Sequence, residues 1–275
     1  MVLINTNERK EDNSMIKLIA SDMDGTLLDG NGKLNEEFFH VFKKLKKNNI
    51  IFAAASGRQY FNLAENFKPV KDDMLFICEN GTYVLHKDKE LYSNVLDKSY
   101  VDALIEHGRT IEGCELVLCG KKSAYIEKSY EKFITEVEKY YFKYTIVDDL
   151  TTVDDDILKV TLCDFLGAKE NSNNIISPTW GSKLHVAVSG QIWLDITNKG
   201  ANKGVALEHV QEKLNVSYDE TMVFGDYYND LEMLKKAHYS FAMENAPEEV
   251  KESSNFVAKS NINNGVLEEI KNRIL

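Results

Sequence analysis

Proline and cysteine are both scarce in this sequence. The 3 prolines in 275 residues exclude a proline-rich linker or stalk. The 4 cysteines form no C-x-x-C pair and have no histidine cluster beside them, so neither a zinc site nor a disulfide framework is indicated. Three of the four lie in apolar, strand-like runs, which favours small buried side chains in a reducing compartment. We therefore expect a cytoplasmic protein whose core needs no covalent crosslinks.

Long apolar runs are also missing. No stretch approaches the roughly 20 residues that a membrane-spanning helix requires. Residues 1–14 are polar and lack the apolar centre of a signal peptide. We interpret residues 1–14 as a disordered leader, or as a result of start-codon choice with Met15 as the true start. No membrane partner is expected.

Positive charge is in deficit, because the formal net charge is −11. Such a surface repels nucleic acid and anionic membranes, so we expect neither as a partner. It also repels phosphate esters. A site for them must therefore be locally positive, through a metal ion, a lysine or helix N-termini.

Strand-like and helix-like segments alternate at both ends of the chain. Ile16–Ala20 and Ile50–Ala55 are continuous apolar runs typical of buried strands, and Leu34–Lys47 has its apolar residues at helical spacing. Strand-like and helix-like segments alternate again after Ala201. This alternation predicts an α/β fold with a Rossmann-like parallel sheet, covered by helices on both faces.

The middle of the chain mixes strands and helices in an α+β pattern. Ser189-Gly190 predicts a two-residue hairpin turn, and Asn171–Asn174 predicts a polar loop or a poor short helix. This change of pattern predicts an inserted module that splits the core. The predicted division is a core segment at 15–85, an inserted α+β cap domain at 86–190 and a second core segment at 191–275.

Two carboxylates follow the first predicted strand. Asp22 and Asp24 stand two residues apart, and Gly25 permits a sharp turn there. Ligands of open α/β sheets bind beyond the carboxyl ends of the strands. Because neighbouring carboxylates at such a place are costly without compensation, we expect a divalent cation. Oxygen ligands favour Mg²⁺.

Three further polar motifs follow in order. Ser56-Gly57 ends the second predicted strand, where the hydroxyl would bind a phosphate oxygen or cap the next helix. Lys203 opens a predicted helix and would supply positive charge. The last motif, Gly225-Asp226-Tyr227-Tyr228-Asn229-Asp230, again places acidic groups after a strand and indicates metal coordination.

Together these motifs resemble the four ordered motifs of the haloacid dehalogenase superfamily. The matching residues are Asp22-x-Asp24-Gly-Thr26, Ser56-Gly57, Lys203 and Gly225-Asp226-x-x-Asn229-Asp230. Glu79-Asn80-Gly81 and Ala242–Ala246 resemble further signatures of its Cof-like branch. The insertion between the second and third motifs resembles the type C2 cap of subclass IIB. One motif alone would be weak, but the resemblance spans Ile16 to Leu275.

The resemblance implies a phosphoric monoester hydrolase that passes through an aspartyl-phosphate. Asp22 would attack phosphorus, and Asp24 would protonate the leaving alkoxide and then deprotonate water. Asp22, the backbone carbonyl of Asp24, and Asp226 would hold Mg²⁺, while Asn229 and Asp230 would complete the metal site or orient its ligands. The transferring phosphoryl group would be bound by Thr26, Ser56, Gly57, Lys203 and Asn229.

Some residues have two interpretations. Arg58 would contact substrate or pair with a core carboxylate. Glu79 and Asn80 would line the cleft or shape the turn before Gly81. Asn198 would face the site or belong to a loop. Aromatic residues of the predicted cap helix, Tyr141 among them, are expected in the cap core rather than in a ligand site.

The motifs determine the reaction and the substrate less closely than they determine the catalytic residues. Asp24 argues against a dehalogenase, because a halide leaving group needs no acid. A phosphomutase or phosphonate hydrolase on the same core and a non-catalytic phospholigand-binding regulator stay open as alternatives. The resemblance implies small phosphorylated metabolites, above all sugar phosphates with broad tolerance, selected by the cap. We expect a monomer or a weak homodimer.

Overall fold

The first strand lies in the middle of a mainly parallel sheet. The computed structural model describes residues 16–275. Neighbouring strands run in the order β14-β13-β12-β1-β2-β3-β4-β5, all parallel except the pairs β3–β4 and β4–β5. These strands, numbered along the chain, are β1 (Leu18–Asp22), β2 (Ile51–Ala55), β3 (Leu75–Cys78), β4 (Tyr83–His86), β5 (Lys89–Ser93), β12 (Thr221–Gly225), β13 (Tyr239–Met243) and β14 (Phe256–Ala258).

Helices cover both faces of this sheet, as predicted. Successive β1 residues Leu18, Ile19 and Ala20 are fully buried and pack alternately into the two core clusters. A strand buried on both faces must be apolar throughout, which is why this sequence has no alternation. One face packs against α1 (Glu37–Lys47), α2 (Tyr60–Asn66) and α9 (Gly265–Ile274), the other against α6 (Lys203–Leu214), α7 (Leu231–Leu234) and α8 (Glu248–Glu252).

A second sheet is formed by the middle of the chain. Its order is β10-β11-β9-β6-β7-β8, and its neighbouring pairs are antiparallel except β7–β8. Its strands are β6 (Cys114–Gly120), β7 (Ala124–Ile126), β8 (Tyr144–Ile146), β9 (Ile157–Asp164), β10 (Leu184–Val188) and β11 (Trp193–Asn198). One face packs on α3 (Lys98–Arg109) and α5 (Ser172–Trp180), and α4 (Glu131–Tyr140) covers part of the other.

The structure decides one open interpretation, corrects one local prediction and adds one hairpin that was not predicted. Of the two interpretations of Asn171–Asn174, the structure shows the short helix: Asn171 is the N-cap of α5, and Ile176 and Trp180 give that helix a buried face. The β10–β11 hairpin has a four-residue loop, 189–192, instead of a two-residue turn, since β11 begins at Trp193. Residues 83–93 form the antiparallel hairpin β4–β5, which the sequence pattern did not predict, because β5 is exposed or half-buried along its whole length.

The limits of the two sheets do not coincide with the predicted domain boundaries at 86 and 190. Strand β5 lies beyond residue 86 but belongs to the first sheet, and β11 lies beyond residue 190 but belongs to the second. We propose that the inserted module runs instead from about residue 94 to residue 198. Asn198 donates to Asn94 Oδ1 (2.7 Å) and to the Val95 carbonyl (2.8 Å), which ties the two crossing segments together.

Two expectations about composition can be compared directly with the structure. Cys78, Cys119 and Cys163 are buried and free, as the apolar runs predicted. None of the helices between residues 16 and 275 has the length and apolar composition of a bilayer-spanning segment. The predicted leader, 1–14, lies outside the described residues.

Candidate active site

Polar residues gather at the carboxyl edge of the central strands. Because β1, β2 and β12 are neighbours, their ends bring Asp22, Ser56 and Asp226 to one place. The chain leaves β1 through a π-type turn, Met23–Leu27, in which Gly25 has φ +80°. A Cβ at Gly25 would collide with the Asp226 carboxylate. Glycine there thus permits both the turn and the approach of the second acidic loop.

Lys203 connects the predicted nucleophile to the last motif. It is fully buried at the start of α6, where its ammonium group donates to Asp22 Oδ1 and, at 2.7 Å, to Asp230 Oδ1. Asp230 Oδ2 accepts from the amides of Asp226 (3.0 Å) and Tyr227 (3.1 Å). Both oxygens of Asp230 are therefore engaged, and this residue orders the lysine and the loop that carries Asp226.

Three carboxylates converge around this lysine. Asp22, Asp226 and Asp230 each offer an oxygen within 4.8 Å of the other two. Burial, together with the charges of Asp230 and Asp226, raises the pKa of Asp22 to about 8 against the opposing effect of Lys203. Burial is also the main cause that raises the pKa of Asp226. One lysine does not fully compensate these carboxylates, so the cluster favours a bound cation.

Two neighbours orient Asp226. The Thr26 hydroxyl donates to Asp226 Oδ1 at 2.7 Å. The Asn245 amide donates to the Gly25 carbonyl at 2.9 Å and lies 3.4 Å from Asp226 Oδ2. Thr26, predicted to bind phosphate, thus contacts a predicted metal ligand. Asn245 was absent from the predicted site, although it stands within the Ala242–Ala246 signature that carried the resemblance.

Asp24 has surroundings unlike those of Asp22. Its side chain is 56% exposed and is held by Arg58, whose Nε and Nη2 donate to the two carboxylate oxygens at 2.9 Å and 2.5 Å. Of the two interpretations of Arg58, the structure thus shows the carboxylate pair. The partner is the predicted general acid rather than a structural carboxylate of the core.

The cleft is also lined by four small or amide-bearing residues of the core, Ser56, Gly57, Asn80 and Asn229. The Ser56 hydroxyl accepts from the Arg58 amide at 3.2 Å, and Gln59 rather than Ser56 stands at the N-cap of α2. Asn229 donates to Asn80 Oδ1 at 3.1 Å. A Cβ at Gly57 would lie 2.9 Å from Asn80 Nδ2, so glycine permits the close approach of this amide.

The cavity in front of these residues, about 480 Å³, lies between the two sheets. Its core side includes Asp24, Ser56, Gly57, Arg58, Glu79, Asn80 and Asn229, and its cap side includes Tyr141, Lys159, Thr161, Trp193 and Asp195. Glu79 and Asn80 thus line the cleft, and they also form the turn before Gly81 with φ of +49° and +53°. Asn198 does not line the cavity. Tyr141 is both buried in the cap core and part of the cavity wall.

The cap side of the cavity contains charged residues that the sequence interpretation missed. Lys159 and Thr161 lie on β9, and Asp195 lies on β11. The available signal was a lysine inside the apolar strand Leu158–Cys163, since a charged residue in such a run needs a partner. That partner is distant in the sequence: Lys159 Nζ lies 2.8 Å from Glu79 Oε2 and 3.4 Å from Asp195 Oδ2.

Comparison with known proteins agrees with this geometry. A family model described as haloacid dehalogenase-like hydrolase matches residues 19–270. The chain belongs to this family. The predicted resemblance to its Cof-like phosphatase branch is confirmed, as is the α/β fold, and the protein is a phosphatase.

Named relatives extend over nearly the whole chain. The 5-amino-6-(5-phospho-D-ribitylamino)uracil phosphatase YbjI of Escherichia coli (strain K12) is 34% identical over 265 residues, covering 93% of this chain and 95% of its own length. An HMP-PP phosphatase of Klebsiella pneumoniae is 26% identical over 238 residues, covering 86% and 87%. The crystal structure of SMU.1108c from Streptococcus mutans has a TM-score of 0.80 at 32% identity, covering 94% of this chain and 98% of that one.

Proposed function

We propose that this protein is a Mg²⁺-dependent phosphomonoester hydrolase that forms an aspartyl-phosphate at Asp22. The observation that carries the proposal is the convergence of Asp22, Lys203 and Asp226 at one strand edge, with Asp24 on the rim of an adjoining cavity. In this arrangement Asp22 would be the nucleophile, Lys203 the cation and Asp24 the acid.

The carboxylate cluster fits Mg²⁺. It consists of oxygen donors and carries more negative charge than Lys203 neutralises, which suits a hard divalent cation. Asp22 and Asp226 would hold the ion, with the Asp24 carbonyl, while Asp230 would position Lys203 and the Asp226 loop. When bound, Mg²⁺ would neutralise charge on the phosphoryl oxygens. Thr26 would act through Asp226 instead of binding phosphate directly.

The chain's own residues account for each proton and bond. An Asp22 oxygen would bond to phosphorus while the ester bond breaks, and Asp24 would give its proton to the leaving oxygen. Asp24 would then take a proton from water as that water attacks phosphorus. The acyl-phosphate bond would break, which releases inorganic phosphate and restores Asp22. Lys203 and Ser56 would hold the phosphoryl group during both steps.

We propose phosphorylated sugars and sugar alcohols as the substrate class, with broad tolerance. The E. coli relative is named for a substrate whose phosphate is on a ribityl group, whereas the K. pneumoniae relative is named for HMP-PP. Family membership therefore does not determine the substrate. The residues on the cap side of the cavity would do so, by contacts with the leaving group.

The environment of Lys159 disfavours phosphonate hydrolysis through a Schiff base on a cap lysine. A Schiff base forms from a neutral amine. The neighbouring Asp195 and Glu79 outweigh burial and raise the pKa of Lys159 well above its usual range, so this lysine stays protonated. The charges around Lys159 therefore favour hydrolysis of a phosphate ester over this alternative.

A phosphatase assay over a panel of phosphorylated metabolites tests the proposal. We expect release of inorganic phosphate with Mg²⁺, no release with EDTA, and loss of turnover in Asp22→Asn. Mass spectrometry of an acid-quenched reaction should show a phosphoryl adduct on Asp22. Wild-type turnover in Asp22→Asn would contradict the nucleophile, and isomerised substrate without free phosphate would indicate a mutase.

A further inference from the structure

The cap side of the cavity carries a polar cluster built on two paired strands. Thr161 of β9 stands directly opposite Asp195 of β11 in the strand register. The Thr161 hydroxyl donates to Asp195 Oδ1 at 2.8 Å, and Lys159, two residues earlier on the same strand face, lies 3.4 Å from Asp195 Oδ2. All three side chains line the cavity that Asp24 also lines.

The core contributes a fourth member, Glu79. It is 3% exposed, and its carboxylate lies 2.8 Å from Lys159 Nζ. The positive φ of Glu79, +49°, is uncommon for a non-glycine residue and marks a turn held by its surroundings. Burying charged groups costs free energy unless they are fully paired. Here they line a cavity of ligand size instead of a closed core.

Each cationic side chain among the described residues of the cavity lining forms an ion pair with a carboxylate. Of these side chains, Arg58 pairs with Asp24 and the buried Lys159 pairs with both Glu79 and Asp195, whereas Lys139 is exposed and forms only a surface pair with Glu136. Lys203 is occupied in the same way, by Asp22 and Asp230. Among the described residues that line the cavity, a leaving group with its own anionic group would therefore meet no buried cation without a carboxylate partner, and it would face the Asp195 and Glu79 carboxylates.

The same cluster suits hydroxyl groups well. Asp195 and Glu79 accept hydrogen bonds, Lys159 donates them, and the Thr161 hydroxyl does both. Trp193 and Tyr140, edge to face at 5.5 Å between ring centroids, add apolar surface to the cavity wall. This combination of paired donors and acceptors beside aromatic rings is the chemistry that recognises an uncharged, hydroxylated chain or ring.

We propose that the Lys159–Thr161–Asp195 cluster, with Glu79, binds an uncharged polyhydroxylated leaving group and rejects phosphate esters with a second anionic group. This inference rests on the proposed phosphatase function and narrows its substrate class. Asp195 is the principal discriminating residue, since it faces the cavity from the strand paired with Thr161.

A pair of six-carbon phosphate esters tests the inference. Sorbitol 6-phosphate and 6-phosphogluconate are both linear, and they differ at the far end, where a hydroxymethyl group replaces a carboxylate. We expect the wild-type kcat/KM for sorbitol 6-phosphate to exceed that for 6-phosphogluconate by at least about tenfold, because like charges placed together are strongly unfavourable. A ratio near unity, or one that favours 6-phosphogluconate, would overturn the inference.

Variants assign the discrimination to the cluster. Asp195→Asn keeps the side-chain size and removes the charge, so the substrate ratio should fall by about fivefold or more. Asp154→Asn, an exposed cap carboxylate outside the cavity, should leave the ratio unchanged. Thr161→Val should lower kcat/KM for sorbitol 6-phosphate several-fold more than it lowers kcat/KM for p-nitrophenyl phosphate, because the latter leaving group carries no aliphatic hydroxyls.

The outcomes separate this inference from the proposed function. Mg²⁺-dependent hydrolysis of p-nitrophenyl phosphate without discrimination between the two esters would refute the cluster's role and leave the phosphatase intact. Absence of any hydrolysis would contradict the proposed function itself. An Asp195→Asn ratio equal to that of the wild type, in a variant with wild-type thermal unfolding, would exclude Asp195 as the discriminating residue.

Discussion

Arg58 holds Asp24 through two parallel hydrogen bonds, from Nε to Oδ2 at 2.9 Å and from Nη2 to Oδ1 at 2.5 Å. A guanidinium group bound in this way fixes both the position and the plane of a carboxylate. The proposed acid is therefore oriented at the cavity rim by a residue that follows the second strand. Arg58 is a positioning residue for Asp24 in this structure.

Replacing Arg58 should thus impair the two proton transfers proposed for Asp24 more than it impairs binding. We expect Arg58→Ala to lower kcat for an alkyl phosphate by about tenfold or more, since misplaced general acids lose most of their contribution. Arg58→Lys should recover only part of the activity, because lysine cannot form the bidentate contact. Steady-state kinetics on sorbitol 6-phosphate measures both. Equal kcat in all three proteins would show that the pair has no catalytic role.

Asp24→Asn should have an effect that depends on the leaving group. Asparagine cannot donate a carboxyl proton, so alkyl phosphates, which leave as basic alkoxides, should lose about 100-fold or more in kcat. p-Nitrophenyl phosphate should lose clearly less, because p-nitrophenolate leaves without a proton. Kinetics on the two esters gives the comparison. The same loss on both would refute the acid role of Asp24.

The hydrogen bond from Thr26 to Asp226 should influence metal affinity. Thr26→Val removes the 2.7 Å donor while keeping the side-chain shape, so the Mg²⁺ concentration for half-maximal activity should rise roughly tenfold. Thr26→Ser keeps the hydroxyl and serves as the matched control, with a much smaller change expected. If Thr26 instead binds phosphate, the valine variant should raise KM at saturating Mg²⁺ with an unchanged Mg²⁺ requirement.

The parts of the site that lie next to strand ends were predictable from the sequence. Asp22, Ser56 and Asp226 follow short apolar runs that are typical of buried parallel strands, so the shared edge of the sheet brings them together. Lys203 was predicted because it begins a helix in the last part of the chain, where strand-like and helix-like segments alternate again.

The contacts made by the cap were not predictable in this way. Lys159 and Asp195 meet Glu79 through the packing of a second sheet against the first, and no local period encodes that packing. The β4–β5 hairpin was missed for a related reason: β5 lies at the edge of the sheet, where exposed residues such as Lys89 and Glu90 replace the apolar pattern.

The raised pKa of Asp22 has a consequence for stability in the absence of metal. The folded-state pKa of about 8 exceeds the ordinary value of 3.8, so the metal-free fold favours the protonated carboxyl and loses stability as pH rises between these values. With EDTA, the wild-type melting temperature should therefore fall by about 3 °C or more from pH 5 to pH 8.

Asp22→Asn cannot ionise at this position, so its melting temperature should fall less and should exceed that of the wild type at pH 8. Asp154→Asn should follow the wild type. Adding Mg²⁺ at pH 8 should raise the melting temperature of the wild type more than that of Asp22→Asn, since the ion binds the ionised carboxylates. Scanning calorimetry measures these differences, and an Asp22→Asn variant that melts below the wild type at pH 8 in EDTA would contradict the argument.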